Sequence, residues 1–346
     1  MIKFYKRWVR KDLDCLCLMS WSRYMKKDCM FRLFFLLWIL FLGLTPISLA
    51  LDSLKIELDE RVAIGSLNDD LLFQWAGVAV DMDGNIFLSD ALEYTIKKFD
   101  SDGRFLRKTG RKGKGPGEFL APRYIDCTRD WVYVTDQEMW GIQVFDKDLH
   151  FVRHIPLSFP ISDMKVMDDD HIALVTVSYE TSGKIFIVNG KGKITRSFPY
   201  VEENSSFMMD MVDFVPGPNG EFYIAYSFQD KIEKFDAQGS NVWRRHLLQM
   251  RKVNKQKFNS FDIPTEVIFK DVAIDKRGLI YILGGHHSKH RSRDVYVLDG
   301  NGDLVASFVL PDPSHCLYID IHGYLYSRAN EGVTLKKYKL IYGDDL

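Results

Sequence analysis

His286, His287, His290 and His315 are the histidines whose clustering gives them metal-ligand character. Imidazoles brought together from two segments could hold zinc or a similar divalent ion, which would then polarise a carbonyl or activate a water. Their setting, GGHHSKHRSR over 284–293, opposes this, because the spacing is loose and Lys289, Arg291 and Arg293 repel a cation. Asp168, Asp169 and Asp170 suggest calcium, but the Asp-X-Asp-X-Asp-Gly spacing of a loop site is missing, so they read as a solvated hairpin turn. Lys112, Gly113, Lys114, Gly115 and Gly117 have the composition of a phosphate cradle. No Gly-Lys-Ser/Thr follows and no helix starts there to aim amides at an anion, so these glycines read as a tight linker. Gly-X-Ser-X-Gly, paired Cys-X-X-Cys and His-Glu-X-X-His do not occur. Signals of catalysis are weak throughout.

The elements that must position any such residue form a repeat. Segments 77–90, 123–136, 163–177, 211–226, 271–284 and 316–328 each carry an apolar run, a tight turn and a second run rich in Ile, Tyr, Phe and Val. They align on Phe87, Tyr133, Ala173, Tyr223, Tyr281 and Tyr326. A second hairpin follows at 96–106, 142–152, 185–195, 232–242 and 295–305, turning mostly at Asp or Asn with Gly. Four antiparallel strands recurring every 40–58 residues predict an all-β fold, a six-bladed β-propeller of four-stranded blades. The sixth unit has only three strands, ending at 334–342, while 54–65 has no hairpin partner nearby. The N-terminal strand is therefore expected to complete the last blade as its outer strand, removing the open seam of the ring.

In a propeller the inner strands begin on the same face as the loops joining second and third strands, so these positions surround one mouth of the central channel. Counting places Arg123, Asp163, Asp271 and His315 there, with Asp210 or Asp213 from the fourth blade. The loops add Glu93, Tyr94, Trp140, Tyr179, Arg328 and the histidine-rich segment. Mixed charges and aromatics around one opening suit a small molecule or peptide, although a solvated rim of internal ion pairs would have the same composition.

The repeat resembles that of the NHL-type six-bladed propellers, most closely over GRKGKGPGEFLAPRYIDCTRDWVYVTDQEMWGIQVFD at 110–146. That stretch looks like the family's Gly-rich linker, strand start, Tyr-Val-X-Asp second strand and Ile-Gln-Val-Phe-Asp third strand. The sequence departs from the pattern at Arg123, where the family has Gly, and in the third blade, which lacks the Asp after its second strand. The resemblance implies the fold and carries over no catalytic residue, since binders, scaffolds and a few enzymes share it.

Residues 1–50 read as a leader. LFFLLWILFLGL at 33–44 is preceded by Lys26, Lys27 and Arg32 and followed by Ser48 and Ala50, which is the grammar of a signal peptide cleaved after Ala50. The apolar run is short for a membrane span, which needs about 20 residues. Met19, Met25 and Met30 lie upstream of it and offer internal starts for an over-long leader. The 46 basic and 47 acidic side chains segregate: nine and three fall in residues 1–50, leaving 37 and 44 on an acidic body. Such a body repels phosphate backbones, so nucleic acid is excluded as the first expected partner. Of five cysteines only Cys127 and Cys316 lie beyond the leader, and their assignment to non-adjacent blades argues against a disulfide.

Residues 51–346 are thus expected to form an exported, periplasmic or extracellular propeller, held at a membrane only by an uncleaved leader. It would act as a non-catalytic binding, sensing or scaffold module for a protein, peptide, glycan or other small ligand. Arg123, Asp163, Asp271, His315, Trp140 and Tyr94 are the candidate contacts, and no cofactor is expected. The alternative is a metal-dependent lyase or hydrolase with His286, His287 and His315 as ligands to a divalent metal such as zinc.

Overall fold

Asp81, Asp275 and Asp320 close three inner hairpins in one way. Each carboxylate accepts the amides two and four residues on, at 2.9–3.0 Å. Gly84, Gly278 and Gly323 then take the positive φ that the turn demands. Asp100, Asp236 and Asp299 repeat the device between third and fourth strands, where Gly103, Gly239 and Gly302 supply the positive φ.

The computed structural model describes residues 56–176, 183–201, 208–258 and 261–343. They form six four-stranded antiparallel sheets. From the axis outwards, blade one is Trp75–Val80, Ile86–Asp90, Thr95–Phe99 and Phe105–Thr109. Blade two is Pro122–Cys127, Trp131–Asp136, Gly141–Asp146 and Phe151–Pro156. Blade three is Ile161–Val166, Ile172–Thr176, Lys184–Val188 and Ile194–Pro199. Blade four is Val212–Pro216, Phe222–Tyr226, Ile232–Phe235 and Asn241–Arg245. Blade five is Phe269–Ile274, Ile280–Gly284, Asp294–Leu298 and Leu304–Val309. Blade six combines Leu317–Ile319, Tyr324–Ala329 and Thr334–Tyr342 with the N-terminal strand Ile56–Ile64.

The expected closure is therefore present. Ile56 pairs with Tyr342 and Ile64 with Leu335 across an antiparallel ladder, interrupted by one bulge at Arg61. The side chains of Ile56 and Ile64 are buried on opposite sides of the blade, one with blade five and the other with blade one. Strand residues alternate between faces, so each middle strand feeds two apolar clusters, one toward each neighbouring blade. Phe87 packs toward blade two while Leu88 packs toward blade six. Among the described residues, six such clusters fill the six junctions. All six alignment residues, Phe87 to Tyr326, are at most 2% exposed, which is why the repeat was visible through them.

Asp90 and Asp136 end their second strands and fasten the preceding inter-blade linkers. Asp90 accepts the amides of Phe73 and Gln74, and Asp136 those of Leu120 and Ala121. In the glycine-rich linker the Glu118 carboxylate accepts the Gly115 amide and pairs with Arg111, and an added Cβ at Gly113 would collide with it. The chain's own carboxylate fills the loop, in agreement with a linker role. A feature without counterpart in the repeat is the small hairpin of Lys255–Phe258 and Phe261–Pro264 between blades four and five, which lengthens that interval. The leader, with its cleavage position, and Tyr179 lie outside the described residues.

Candidate functional site

Each inner strand brings one residue to a common level on the axis. In blades one, three, four and five the strand pairings place Gly77, Asp163, Asp213 and Asp271 opposite Ser89, Val175, Ala225 and Leu283. Tyr124 occupies this tier in blade two, its amide donating to the Thr135 hydroxyl as that of Gly77 does to Ser89. In blade six the pairing of Tyr318 with Tyr326 puts Cys316 there. One step further along are Ala79, Asp126, Lys165, Val215, Ala273 and Tyr318, each opposite an alignment residue.

Side chains of the first tier, with Lys165 and Tyr318 below, line a cavity of about 500 Å³ that touches all six blades. Arg123, Lys270, His315, Arg328 and Glu331 line the same cavity toward the strand starts. Counting along the sequence thus found Asp163, Asp271 and, of the two options in blade four, Asp213. Arg123 and His315 line the cavity but stand one residue before the tier positions Tyr124 and Cys316. For blade two the cause is a tighter hairpin: Asp126 pairs with Tyr133, seven residues on, where Ala79 pairs with Phe87, eight on.

Tyr94 and Trp140 are not among the lining residues. Both sit at positive φ in loops joining second and third strands. The Tyr94 ring lies under the Lys112 ammonium, 5.3 Å from its centre. Trp140 is half exposed and its carbonyl accepts the Leu157 amide. Glu93 pairs with Lys97 and Lys108. Asp210 belongs to another cavity, of about 680 Å³, beside blade four. That cavity is larger, but Asp230 within it already accepts the amides of Leu247, Leu248 and Met250.

Each of the four histidines is engaged with a different partner. His286 Nδ1 accepts the Val267 amide at 2.9 Å, His287 faces Glu266 at 3.0 Å, and His290 pairs with Asp294 at 2.7 Å. His315 accepts from the Lys270 ammonium at 2.9 Å. Among the described residues no three His, Cys, Asp or Glu side chains stand as a metal ion would require.

Below the strand starts the inner strands carry carboxylates: Asp163, Asp213 and Asp271 line the cavity, and Asp126 lies one step further along blade two. Asp126, Asp163 and Asp271 each accept the amide of the following residue, at 2.7–2.8 Å. Asp126 also accepts Val166 and Asp271 accepts Leu317, both at 2.7 Å across the blade junction. Burial pushes all three carboxyls up, Asp271 to about 6, while Lys165 pulls in the other direction. Burial alone would lower the Lys165 ammonium, but Asp163, Asp271 and Asp126 overcome it and hold its pKa above the ordinary value. The Lys165 side chain keeps 28% exposure, through the cavity, and stands 3.7 Å from Asp163.

Asp213 differs from the other three, having no hydrogen-bond partner among the described residues. Burial, then the charges of Asp271 and Asp163, push its pKa well above the usual carboxylate range against Lys165 and Arg123. A raised folded-state pKa means that stability is present in acid and falls as pH rises from about 4 through the folded pKa. Asp213→Asn removes that loss without orphaning an amide. The variant is expected to match the wild type near pH 4 and to melt about 2–4 °C higher at pH 8, for about 1 kcal/mol of relief in a domain of this size. Melting curves across pH test this; a difference that does not grow with pH would contradict it.

Nearer the strand starts the cavity is cationic. The Arg123 guanidinium lies 5.4 Å from the Tyr124 ring centre and makes a 3.4 Å hydrogen bond to Gln137 Oε1. Arg328 donates to the Glu331 carbonyl at 3.0 Å, and burial followed by the Arg123 charge lowers its pKa. Lys270 is pushed down to about 8 by burial and by Arg291. Burial and then Lys270 and Arg328 push His315 down to about 4, so its imidazole is neutral at pH 7. Cys127 and Cys316 are free thiols whose pKa values burial raises, Cys127 to about 12, so neither is a nucleophile at neutral pH. Sequence reasoning missed Tyr124, Asp126, Lys165 and Lys270; the first tier's neighbours at i+2 share its face, and that period was the available signal for Lys165.

No curated protein matches the chain. Among solved structures it is similar to a protein predicted to be exported, BF0058 of Bacteroides fragilis NCTC 9343, at 12% identity and TM-score 0.56, over 84% of this chain and 96% of that one. A DUF4221-family member from Bacteroides vulgatus matches at 11% identity and TM-score 0.55, over 84% and 99%. The virginiamycin B lyase of Staphylococcus aureus matches at 12% identity and TM-score 0.52, over 83% and 100%. At such identities the likeness establishes the propeller fold and nothing of the chemistry. The family model described as Domain of unknown function (DUF4934) matches residues 68–244, just over half of the 346 residues, and the chain belongs to that family.

Proposed function

We propose that the protein is an exported, non-catalytic binding module of NHL-like architecture that captures a small polar ligand in its axial cavity. One observation carries this reading: charged side chains from several blades converge on a half-open cavity of about 500 Å³, with Arg123, Lys270 and Arg328 lacking any carboxylate partner among the described residues. A rim that merely neutralised itself would pair these cations with Asp163, Asp213 or Asp271. Pockets with a few convergent polar groups are where ligands are held. Export is supported by the basic, apolar and small-residue succession at 26–50 and by the likeness to a protein predicted to be exported.

A thermal-shift screen with separate panels of oligosaccharides, short peptides and organic acids tests the binding role. A hit is expected to be weakened about tenfold or more by Arg123→Glu, which changes an exposed side chain and should leave the fold intact. Hits indifferent to both Arg123→Glu and Lys270→Glu would remove the cavity from consideration. Sequencing the N-terminus of the mature protein should find Leu51; an intact leader in a cytosolic fraction would defeat export.

A further inference from the structure

The cavity is polarised along the axis, and its ligand should be polarised to match. Toward the strand starts stand Arg123, Arg328 and Lys270, and Arg123 and Arg328 are near enough for one cation to depress the other. Like charges that face each other without a counterion call for an anion between them. One tier deeper, Asp163, Asp213 and Asp271 come from three successive blades. Lys165 compensates Asp163 at 3.7 Å, and backbone amides hold Asp163 and Asp271. Asp213 is left facing the cavity with neither cation nor amide of the described residues bonded to it. A simple anion would satisfy the upper cations and be repelled by the deeper carboxyls. A simple cation would meet the reverse, and among the described residues no three carboxylates stand close enough together to enclose a metal ion.

We propose that the ligand is a zwitterion, a free amino acid or short peptide, whose carboxylate lies against Arg123, Arg328 and Lys270 and whose ammonium pairs with Asp213. This rests on the binding role proposed above and names its ligand class. The ammonium supplies the positive charge that Asp213 lacks, and ionises a carboxyl that its neighbours otherwise discourage. A ligand of two or three residues fits within about 500 Å³ together with some water. Neutral His315, accepting from Lys270, fixes that ammonium at the edge of the anion site without adding a charge.

The test uses the intact exported domain and three probe pools: unprotected dipeptides with free amino acids, the same compounds N-acetylated, and the same compounds C-amidated. Equilibrium dialysis with mass spectrometry identifies what is retained, and titration gives its affinity. Members of the unprotected pool are expected to bind, and to lose about tenfold or more on either modification, the scale of one charged contact removed. Asp213→Asn should weaken the unprotected ligand but leave any residual binding of its N-acetylated form unchanged. Arg328→Gln should weaken the unprotected ligand and leave the C-amidated form unchanged. Equal binding of all three pools, or sensitivity to neither variant, overturns the proposal. Capture of a neutral oligosaccharide or of a dicarboxylate, with the dipeptide pools silent and Arg123→Glu effective, also overturns it while leaving the axial binding role standing. Silence from every panel at the axis would end both.

Discussion

A chain beginning after Ile64 is expected to collect as aggregate, or to melt well over 10 °C below a chain beginning at Leu51, because the ring loses its clasp. The deletion strips Ile56–Ile64 from Thr334–Tyr342 and exposes the full edge of that strand. Unpaired amides and carbonyls on such an edge template pairing with other chains. Two buried isoleucines leave with the strand, worth about 1.5–3 kcal/mol each by area alone, before any account of the ladder. The loss falls on two junctions at once, since Ile56 packs with blade five and Ile64 with blade one. Ile64→Asp gives a gentler version, burying a carboxylate among Leu72, Trp75 and Leu335. Cooperative melting of the deleted chain within a few degrees of the longer one, by calorimetry, would show that the clasp is dispensable.

Lys97→Met should also be severe. Lys97 is 2% exposed and its ammonium reaches Asp90 at 2.9 Å, Glu93 at 2.6 Å and the Leu71 carbonyl at 2.8 Å. Asp90 is fully buried and fastens the linker before blade one, so removal of the ammonium leaves a carboxylate in a dry place with only backbone amides around it. Breaking such a pair costs about 3–5 kcal/mol, or roughly 10 °C in melting temperature for a domain of this size. Burial opposes ionisation of Asp90, but the Phe73 amide and Lys97 prevail and hold its pKa below the ordinary value. A depressed carboxyl stabilises above its unfolded pKa and loses that contribution as pH falls through the folded one. The deficit of Lys97→Met should therefore be greatest at neutral pH and narrow toward acid. Lys97→Met combined with Asp90→Asn should recover part of it. A loss under about 2 °C, or one flat in pH, would count against the pair as a structural anchor.

The fold was legible because its signals are local. An Asp with a Gly at positive φ three residues on defines six of the turns, and a buried aromatic or aliphatic residue marks each middle strand. The axial cavity was legible only to within one residue. The turn at Thr128–Trp131 is a residue shorter than the one at Asp81–Asn85, and no count from the strand's far end reveals it. Arg123 was therefore ranked where Tyr124 stands. Asp213 and Asp210 could not be separated for a related reason: two acidic residues three apart fit the pattern equally until the pairing of Asp213 with Ala225 fixes one. Lys165 escaped notice because it lies in the interior of a strand, where charge is read as solvent-facing, and only the ring of blades turns that face inward. Tyr94 and Trp140 were placed on the right loops, but loop membership does not say whether a side chain reaches the axis.

The clasp also dictates when the molecule can be finished. The partner of Ile56 is Tyr342, so the first strand of the domain waits unpaired until Thr334–Tyr342 of blade six has been made. Blades one to five can assemble in order behind the ribosome, but the circle stays broken throughout synthesis, and the final step joins the most distant parts of the chain.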